Sequence, residues 1–158
     1  MDAGLDVHRI LGLEEGDAHV IRNAGGVITD DEIRSLTISQ RLLGTRENVL
    51  IHNTDCGMLT FSDDDPKAQI HEEVGVKPHF SMESFSDLEE DVRKSVARVK
   101  ASPFVPHKES VRGCAYGVQT GRLREVACPS VPRSARREEA YRKVAQRPAG
   151  GGKSCTRG

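Results

Sequence analysis

The sequence predicts an α/β domain in which a mainly parallel β-sheet is flanked by helices. Short apolar segments typical of strands alternate along the chain with longer segments whose apolar residues recur at helical spacing. Strands that are separated by helices in the sequence favour parallel pairing. The chain has 158 residues, of which 36% are hydrophobic, and this is enough for one domain with a sizeable core.

The first half of the chain alternates helix and strand. Residues 5–13 predict a short helix that ends at glycines, and residues 18–23 predict a short strand. A longer helix opens at Thr29, whose hydroxyl can cap free amides, and its acidic first turn favours the positive end of the helix dipole. Gly44 ends that helix. Residues 48–52 then predict a buried strand, which a glycine-bearing turn follows.

The second half of the chain predicts two helices and a hairpin. Residues 60–66 predict a solvated acidic loop. A calcium-binding loop is the less favoured alternative, because the aspartates lack its spacing and its distal glutamate. Residues 68–74 and 86–101 predict helices, and Ser86 is the expected cap of the second helix. The hairpin strands are expected at residues 111–118 and 122–126.

Charge divides the chain into two parts near Cys128. Residues 1–127 hold 15 Lys+Arg and 22 Asp+Glu, whereas residues 128–158 hold 8 and 2. We expect the first part to be the folded domain. The second part is rich in Pro, Gly, Ser and Arg with almost no apolar periodicity, which predicts a disordered basic tail. A basic arm for nucleic acid or for an acidic surface is the alternative, and a nucleic-acid partner is not favoured.

Two features of the whole chain bear on its location. No apolar run approaches the roughly 20 residues needed to span a bilayer, and the amino terminus lacks a basic-then-apolar signal pattern. We therefore expect a cytoplasmic protein without a membrane partner. The cysteines follow no repeated spacing, so in a reducing compartment we expect free thiols or metal ligands and no disulfide.

The residues around Cys56 form an incomplete metal motif. A histidine three positions before a cysteine, on the turn after a buried strand, would give one nitrogen and one thiolate to a zinc ion. Here that position holds Asn53. His52 is one residue too early, and neighbouring residues on a strand point to opposite faces. We expect His52 to be packed or hydrogen-bonded; a strand bulge that turned it toward Cys56 is the alternative.

This stretch resembles the zinc turn of the β-class carbonic anhydrases, in which His-x-x-Cys follows a strand. In that family a second cysteine begins an upstream Cys-x-Asp-x-Arg, and residues 1–4 of this chain resemble the last four residues of that motif. Gly4 stands where the family has arginine. The resemblance continues in order and spacing through LDVHRILG at 5–12, AHVIRNAGG at 18–26, SQRLLGTR at 39–46, ASPFVP at 101–106 and VRG at 111–113.

The resemblance implies reversible hydration of carbon dioxide to bicarbonate at a Zn²⁺ ion held by two cysteines and a histidine. Of those ligands this chain keeps Cys56. Asn53, at the histidine position, offers a neutral amide oxygen, which is a weak donor to zinc. Asp2 matches the family's catalytic aspartate, which can also take the fourth metal position, and Gly4 removes the arginine that holds it off the metal. The resemblance therefore predicts an impaired or inactive enzyme.

Small residues near the motif match the family's substrate pocket. Ala24 and Gly25 belong to a loop whose small side chains let backbone amides approach the substrate, and a tight strand-to-helix turn is the alternative interpretation. Gly57 has two alternative interpretations: it provides backbone flexibility beside Cys56, or it adopts a positive φ that the turn requires. The resemblance places all three residues beside the substrate.

The resemblance also exposes a gap in the predicted sheet. In the family, the strand that ends in the upstream cysteine lies between the strands that match residues 18–23 and 48–52, and this sequence has no residues for it. Each buried backbone group left unpaired costs about 1–3 kcal/mol, against a total stability of roughly 5–15 kcal/mol. We expect that a partner fills the gap or that the true coding sequence starts upstream.

Two hypotheses follow from the resemblance. The first is a carbonic anhydrase that acts on carbon dioxide and bicarbonate, whose sequence is incomplete at its start and altered at Gly4 and Asn53. The second is a non-catalytic family member that associates with an intact homologue, since domains of this family form dimers. Asn53 favours the second hypothesis, and a homodimer or a complex with a homologue is the expected assembly.

Overall fold

A three-stranded mixed sheet organises the fold of the computed structural model, which describes residues 1–126 and 128. The strands lie in the order β1 (Glu47–Asn53), β2 (Ser110–Gly117) and β3 (Arg122–Glu125). β1 pairs with β2 in parallel, and β2 pairs with β3 in the antiparallel direction. The α/β class, the buried strand before the metal motif and the final hairpin are therefore confirmed.

The described part of the chain has four α-helices and one short 3₁₀ helix. They are α1 (Val7–Leu11), α2 (Asp30–Leu42), the 3₁₀ helix (Gly57–Leu59), α3 (Asp64–Val74) and α4 (Leu88–Ala101). Helices α1 and α2 precede β1, and the other three lie between β1 and β2. No helix among the described residues is long and apolar enough to cross a membrane. The predicted tail at 128–158 lies outside the described residues apart from Cys128, so the domain boundary stays a prediction.

The helix ends follow capping chemistry, with two differences from the sequence prediction. Thr29 precedes α2, and the Glu32 carboxylate accepts from the Thr29 backbone amide at 2.9 Å, which completes a capping box. Asp87, not Ser86, caps α4 by accepting from the Glu90 amide at 2.9 Å. α3 begins at Asp64, within the predicted acidic loop, because acidic residues and proline are both tolerated in a first helical turn.

Helix α4 packs on the sheet through a row of valines. Val92, Val96 and Val99 are at most 1% exposed. A Cβ placed at Gly113 of β2 would lie 2.4 Å from Val92 Cγ1 and 2.8 Å from Val96 Cγ2. Gly113 therefore lets the helix approach the sheet more closely than any other residue type would allow.

Residues 18–23 do not form the predicted strand. They have no ladder partner among the described residues, and the side chains of Val20 and Ile21 are 39% and 45% exposed. Only one edge of β1 is paired within residues 1–126 and 128, so the segment has no neighbouring strand to pair with. An apolar pattern predicts a strand only where such a partner is present.

Candidate functional site

The carboxyl end of β1 carries the metal-motif residues of the sequence analysis. β1 ends at Asn53, and the chain turns through Asp55, which has a positive φ of 58°. Cys56 then precedes the 3₁₀ helix and is partly buried against the apolar cluster of Val27, Met58 and Phe85. The structure therefore confirms the turn after the strand, and it places the thiol against an apolar surface.

The amino-terminal residues lie beside the end of β1. The Asp2 carboxylate accepts from the Gly4 backbone amide at 2.8 Å and lies 3.5 Å from Asn53 Nδ2. Arg22 donates to the Leu5 carbonyl at 2.7 Å and to the Asp2 carbonyl, which ties this segment down. The structure therefore brings Asp2 and Asn53 together.

Asn53 uses its amide as a hydrogen-bond donor. Its Nδ2 atom donates to the Thr54 carbonyl at 2.9 Å and approaches the Asp2 carboxylate at 3.5 Å. The residue is 7% exposed, so it has little access to water as an alternative partner. Both partners are acceptors, so the nitrogen side of the amide faces Asp2. An amide N–H has no lone pair to offer a metal ion.

His52 lies in the protein interior and not in a ligand position. It is 0% exposed, its Nδ1 atom is 3.4 Å from Asp91 Oδ2, and its ring centroid is 5.8 Å from that of Phe85. Burial lowers the pKa of His52 to about 4, although the Gly26 backbone partly opposes this shift. The β1–β2 pairing runs without a bulge through His52. The expectation of a packed histidine is confirmed, and the bulge alternative is wrong.

The pocket glycines have different roles. Gly25 has a φ of 78°, and a Cβ there would lie 3.1 Å from Met58 Cγ and 3.2 Å from Phe85 Cε1. Ala24 beside it is exposed. Gly57 does not have a positive φ, and a Cβ there would meet nothing within 4 Å, so the positive-φ interpretation of Gly57 is wrong. Their place in a substrate pocket stays a prediction.

Three residues near the site were missed by the sequence analysis. Asp91, on α4, is separated from His52 by 39 positions, and burial raises its pKa. Arg22 lies in the segment 18–26 that carries the family resemblance, and Asn48 lies in no quoted motif; only the fold reveals the contacts of either residue. Asn48 occupies a buried position of β1, which its sequence context does not reveal.

The described residues do not fit a zinc site. No group of three or more His, Cys, Asp or Glu side chains is close enough to hold a metal ion in the part of the chain that the structure describes. A zinc site in a protein needs at least three such ligands. Cys56 and Asp2 supply a thiolate and a carboxylate, and Asn53 presents an N–H where a third donor would be needed.

Comparison with known proteins identifies the family. β-Carbonic anhydrase 1 of Mycobacterium tuberculosis is 61% identical to this chain over 126 residues, which cover 80% of this chain and 77% of that protein. This chain belongs to the β-carbonic anhydrase family. The carbonic anhydrase structure from Streptococcus mutans matches with a TM-score of 0.76 and 46% identity, and covers 80% of this chain and 77% of that one. No family model matches the sequence.

A second group of relatives carries a different activity. A carbon disulfide hydrolase of Saccharolobus solfataricus is 32% identical over 150 residues, which cover 79% of this chain and 73% of that protein. The family resemblance of the sequence analysis is confirmed by these matches. β-Carbonic anhydrases are zinc enzymes. The described residues of this chain do not supply a group of three zinc ligands, and this difference bears directly on its function.

Proposed function

We propose that this chain is a β-carbonic anhydrase family protein, related by descent to enzymes of carbon dioxide and bicarbonate, with little or no hydration activity of its own. The observation that supports this is the hydrogen-bonding direction of Asn53. Its Nδ2 atom faces the Asp2 carboxylate at 3.5 Å, at the position of the family's histidine ligand. An N–H at this position cannot serve as a metal ligand.

The chemistry of carbon dioxide hydration explains why this substitution matters. Zinc lowers the pKa of its bound water to about 7, which provides hydroxide at neutral pH. Asn53 cannot replace a neutral imidazole, because an amide oxygen is a hard, weak donor and its nitrogen has no free lone pair. We therefore assign no zinc-dependent step to Asp2, Asn53 or Cys56 in this chain.

A non-catalytic family member that acts through association with an intact homologue is the second candidate. The observation that favours it is Asn53, which stands at the position of the family's histidine ligand and directs an N–H toward Asp2. A homodimer is the other assembly that the family predicts, and we propose the cytoplasm as the location.

Zinc content and hydration activity test the first candidate. We expect the chain, purified from zinc-supplemented cells, to contain far less than one zinc per chain by elemental analysis. We also expect it to leave the rate of carbon dioxide hydration in a stopped-flow assay at the buffer value. Stoichiometric zinc together with zinc-dependent hydration would contradict the proposal.

A matched pair of variants isolates the role of Asn53. We expect Asn53→His to raise zinc affinity by about tenfold or more, because imidazole supplies the nitrogen donor that zinc prefers. Asn53→Gln keeps an amide and is the control, so its zinc affinity is expected to stay at the level of the unaltered chain. Equal zinc affinities of the two variants, measured by competition with a chelator, would mean that Asn53 is not the limiting residue.

A further inference from the structure

One carboxylate fastens the loop before α4 to the start of α3. Asp63 lies immediately before α3, and its Oδ1 atom accepts from the Ser84 amide and from the Ser84 hydroxyl, both at 2.8 Å. Its Oδ2 atom accepts from the Ser81 hydroxyl at 2.7 Å and from the Met82 amide at 2.9 Å. Four donors of one loop therefore converge on a single side chain. We refer to residues 81–85 as the strap.

The charge of Asp63 strengthens this attachment. The hydrogen bonds from the strap, that of the Ser81 hydroxyl first, hold the pKa of Asp63 well below its ordinary value of 3.8. The carboxylate is therefore ionised at any pH above that value, and hydrogen bonds to an ionised group are roughly twice as strong as those between neutral groups. The amine of Lys67 lies 3.9 Å from Asp63 Oδ2 and adds to the attraction. Protonation near neutral pH does not release the strap.

The backbone of the strap is strained between its points of attachment. Glu83 has a positive φ of 59°, a conformation in which the Cβ of a residue other than glycine crowds the following carbonyl. Such a conformation persists only where surrounding contacts impose it. Here the amides of Met82 and Ser84, on either side of Glu83, both donate to Asp63. The carboxylate thus holds the strap in a shape that its own backbone does not favour.

The end of the strap covers the apolar side of the candidate site. The Phe85 amide donates to the Met58 carbonyl at 3.2 Å, and the Phe85 ring is buried in a cluster with Val27 and Met58. Cys56 packs against the same cluster, and the ring of His52 lies 5.8 Å from that of Phe85. The position of the strap therefore determines whether Phe85 covers this part of the site.

We propose that the strap is a lid on the apolar cluster beside Cys56, and that Asp63 is the positioning residue that holds the lid closed. When its bonds to Asp63 are lost, the backbone at Glu83 relaxes, Phe85 leaves the cluster and small molecules reach the Cys56 thiol. The inference goes beyond the proposed function, since no metal contact enters it.

Hydrogen exchange of the Phe85 amide tests the lid. This amide donates to Met58 and not to Asp63, so it reports opening of the strap and not the mere loss of an acceptor. Asp63→Asn keeps the size of the side chain but removes its charge and one of its two acceptor oxygens. We expect the Phe85 amide to exchange at least tenfold faster in this variant, measured by nuclear magnetic resonance.

Asp65→Asn is the matched control for the charge. Asp65 lies two positions further along the chain, and its carboxylate accepts from the amide and the hydroxyl of Ser62 at 2.9 and 2.8 Å. The variant makes the same change of charge at the start of α3, away from the strap. We expect it to leave the exchange rate of the Phe85 amide unchanged.

Alkylation of Cys56 gives a second measurement on the same variants. Iodoacetamide modifies exposed thiols, and mass spectrometry of the peptide that contains Cys56 gives the rate for this residue alone. We expect at least fivefold faster modification of Cys56 in Asp63→Asn than in Asp65→Asn. Cys114 is the internal control, because it is buried in β2 and becomes reactive only when the fold as a whole opens. We expect its rate to be equal in both variants.

Ser84→Ala keeps the test decisive if Asp63→Asn does not fold. It removes one of the four donors to Asp63 and leaves the carboxylate in place. We expect the Phe85 amide to exchange about threefold faster in this variant than in the unaltered chain.

Three results would overturn the inference. The first is equal exchange of the Phe85 amide in Asp63→Asn and Asp65→Asn or, where Asp63→Asn does not fold, in Ser84→Ala and the unaltered chain. The second is an unchanged alkylation rate of Cys56. The third is equal acceleration at Cys56 and Cys114, which would mean that Asp63 holds the whole fold and not a lid. All of these measurements are made without zinc, so their failure leaves the proposal of an inactive zinc site standing.

Discussion

The side chain of Asn53 determines whether the end of β1 can offer a nitrogen ligand to a metal ion. Asn53 and a histidine are of similar size, but the amide presents an N–H to Asp2, whereas a neutral imidazole presents a lone pair. Gly4 adds to this effect because it has no guanidinium to form the bidentate pair that an arginine would make with Asp2; the Asp2 carboxylate accepts instead from the backbone amide of residue 4 at 2.8 Å. Hydrogen bonds within the chain thus occupy Asp2.

The buried His52 predicts a pH dependence of stability. Its pKa is lowered from 6.5 to about 4 by burial, so folding favours the neutral ring, and this contribution is lost as the pH falls below 6.5. We expect the free energy of unfolding to drop by about 2 kcal/mol between pH 7 and pH 5 from this residue alone. Asp91 has a raised pKa and acts in the opposite direction, losing stability as the pH rises above 3.8. Urea unfolding across this range measures the net slope.

Two variants separate His52 from the other histidines. His52→Asn removes the titrating ring, and we expect it to flatten the pH dependence between pH 7 and pH 5 even though it destabilises the fold. His79→Asn is the matched control, because His79 is exposed and we expect it to leave the slope unchanged. A slope that survives in His52→Asn would assign the pH dependence to other groups.

The sequence indicated candidate site residues only where they belong to a recognisable motif. The spacing of Asp2, Asn53 and Cys56 matched a known motif, and the structure places Asp2 beside Asn53. The contact of His52 with Asp91 joins β1 to α4, and such a pairing leaves no trace in local spacing. Asn48 was equally hidden, since a buried polar residue of a strand looks like any other until its partners are known.

At the scale of the elements, local chemistry predicted helices better than strand pairing. The capping residues and apolar spacing of α2 and α4 lie within the helices themselves, so their positions could be read to within two residues. Residues 18–23 also have an apolar sequence but form no strand, because a strand needs a neighbouring strand that its local sequence does not specify.

The loop at residues 24–26 gives a test of packing against β1. Gly26 has a φ of 73°, and a Cβ there would lie 2.7 Å from the Ile51 carbonyl oxygen. Gly44 has a φ of 80° but no atom within 4 Å of a Cβ. We expect Gly44→Ala to cost about 1–2 kcal/mol from backbone strain alone. Gly26→Ala should cost about 1–3 kcal/mol more, because the carbonyl must move. Urea unfolding measures both, and equal losses would mean that the loop adjusts freely.

At the scale of the whole molecule, the charge of the chain changes near Cys128. The three buried apolar clusters of the described residues draw their members from residues 27–128. The acidic excess of residues 1–127 opposes the basic excess of residues 128–158, so the net charge of −1 is an average of two unlike parts. This change of charge is the basis on which the sequence predicts a boundary between residues 1–127 and 128–158.

Truncation after Cys128 tests that division. Residues 1–128 form one compact unit that holds the sheet, the row of valines on α4 and Cys128 itself. We expect the truncated chain to keep its circular dichroism spectrum and a Tm within about 2 °C of the full chain, because a change of 1 kcal/mol shifts Tm by about 2–4 °C in a protein of this size. Truncation after residue 125 is the matched control, since it also removes Val126, which is 2% exposed in the core, and we expect a clear loss of stability. A large fall in Tm on removal of residues 129–158 alone would show that the basic segment is part of the folded domain.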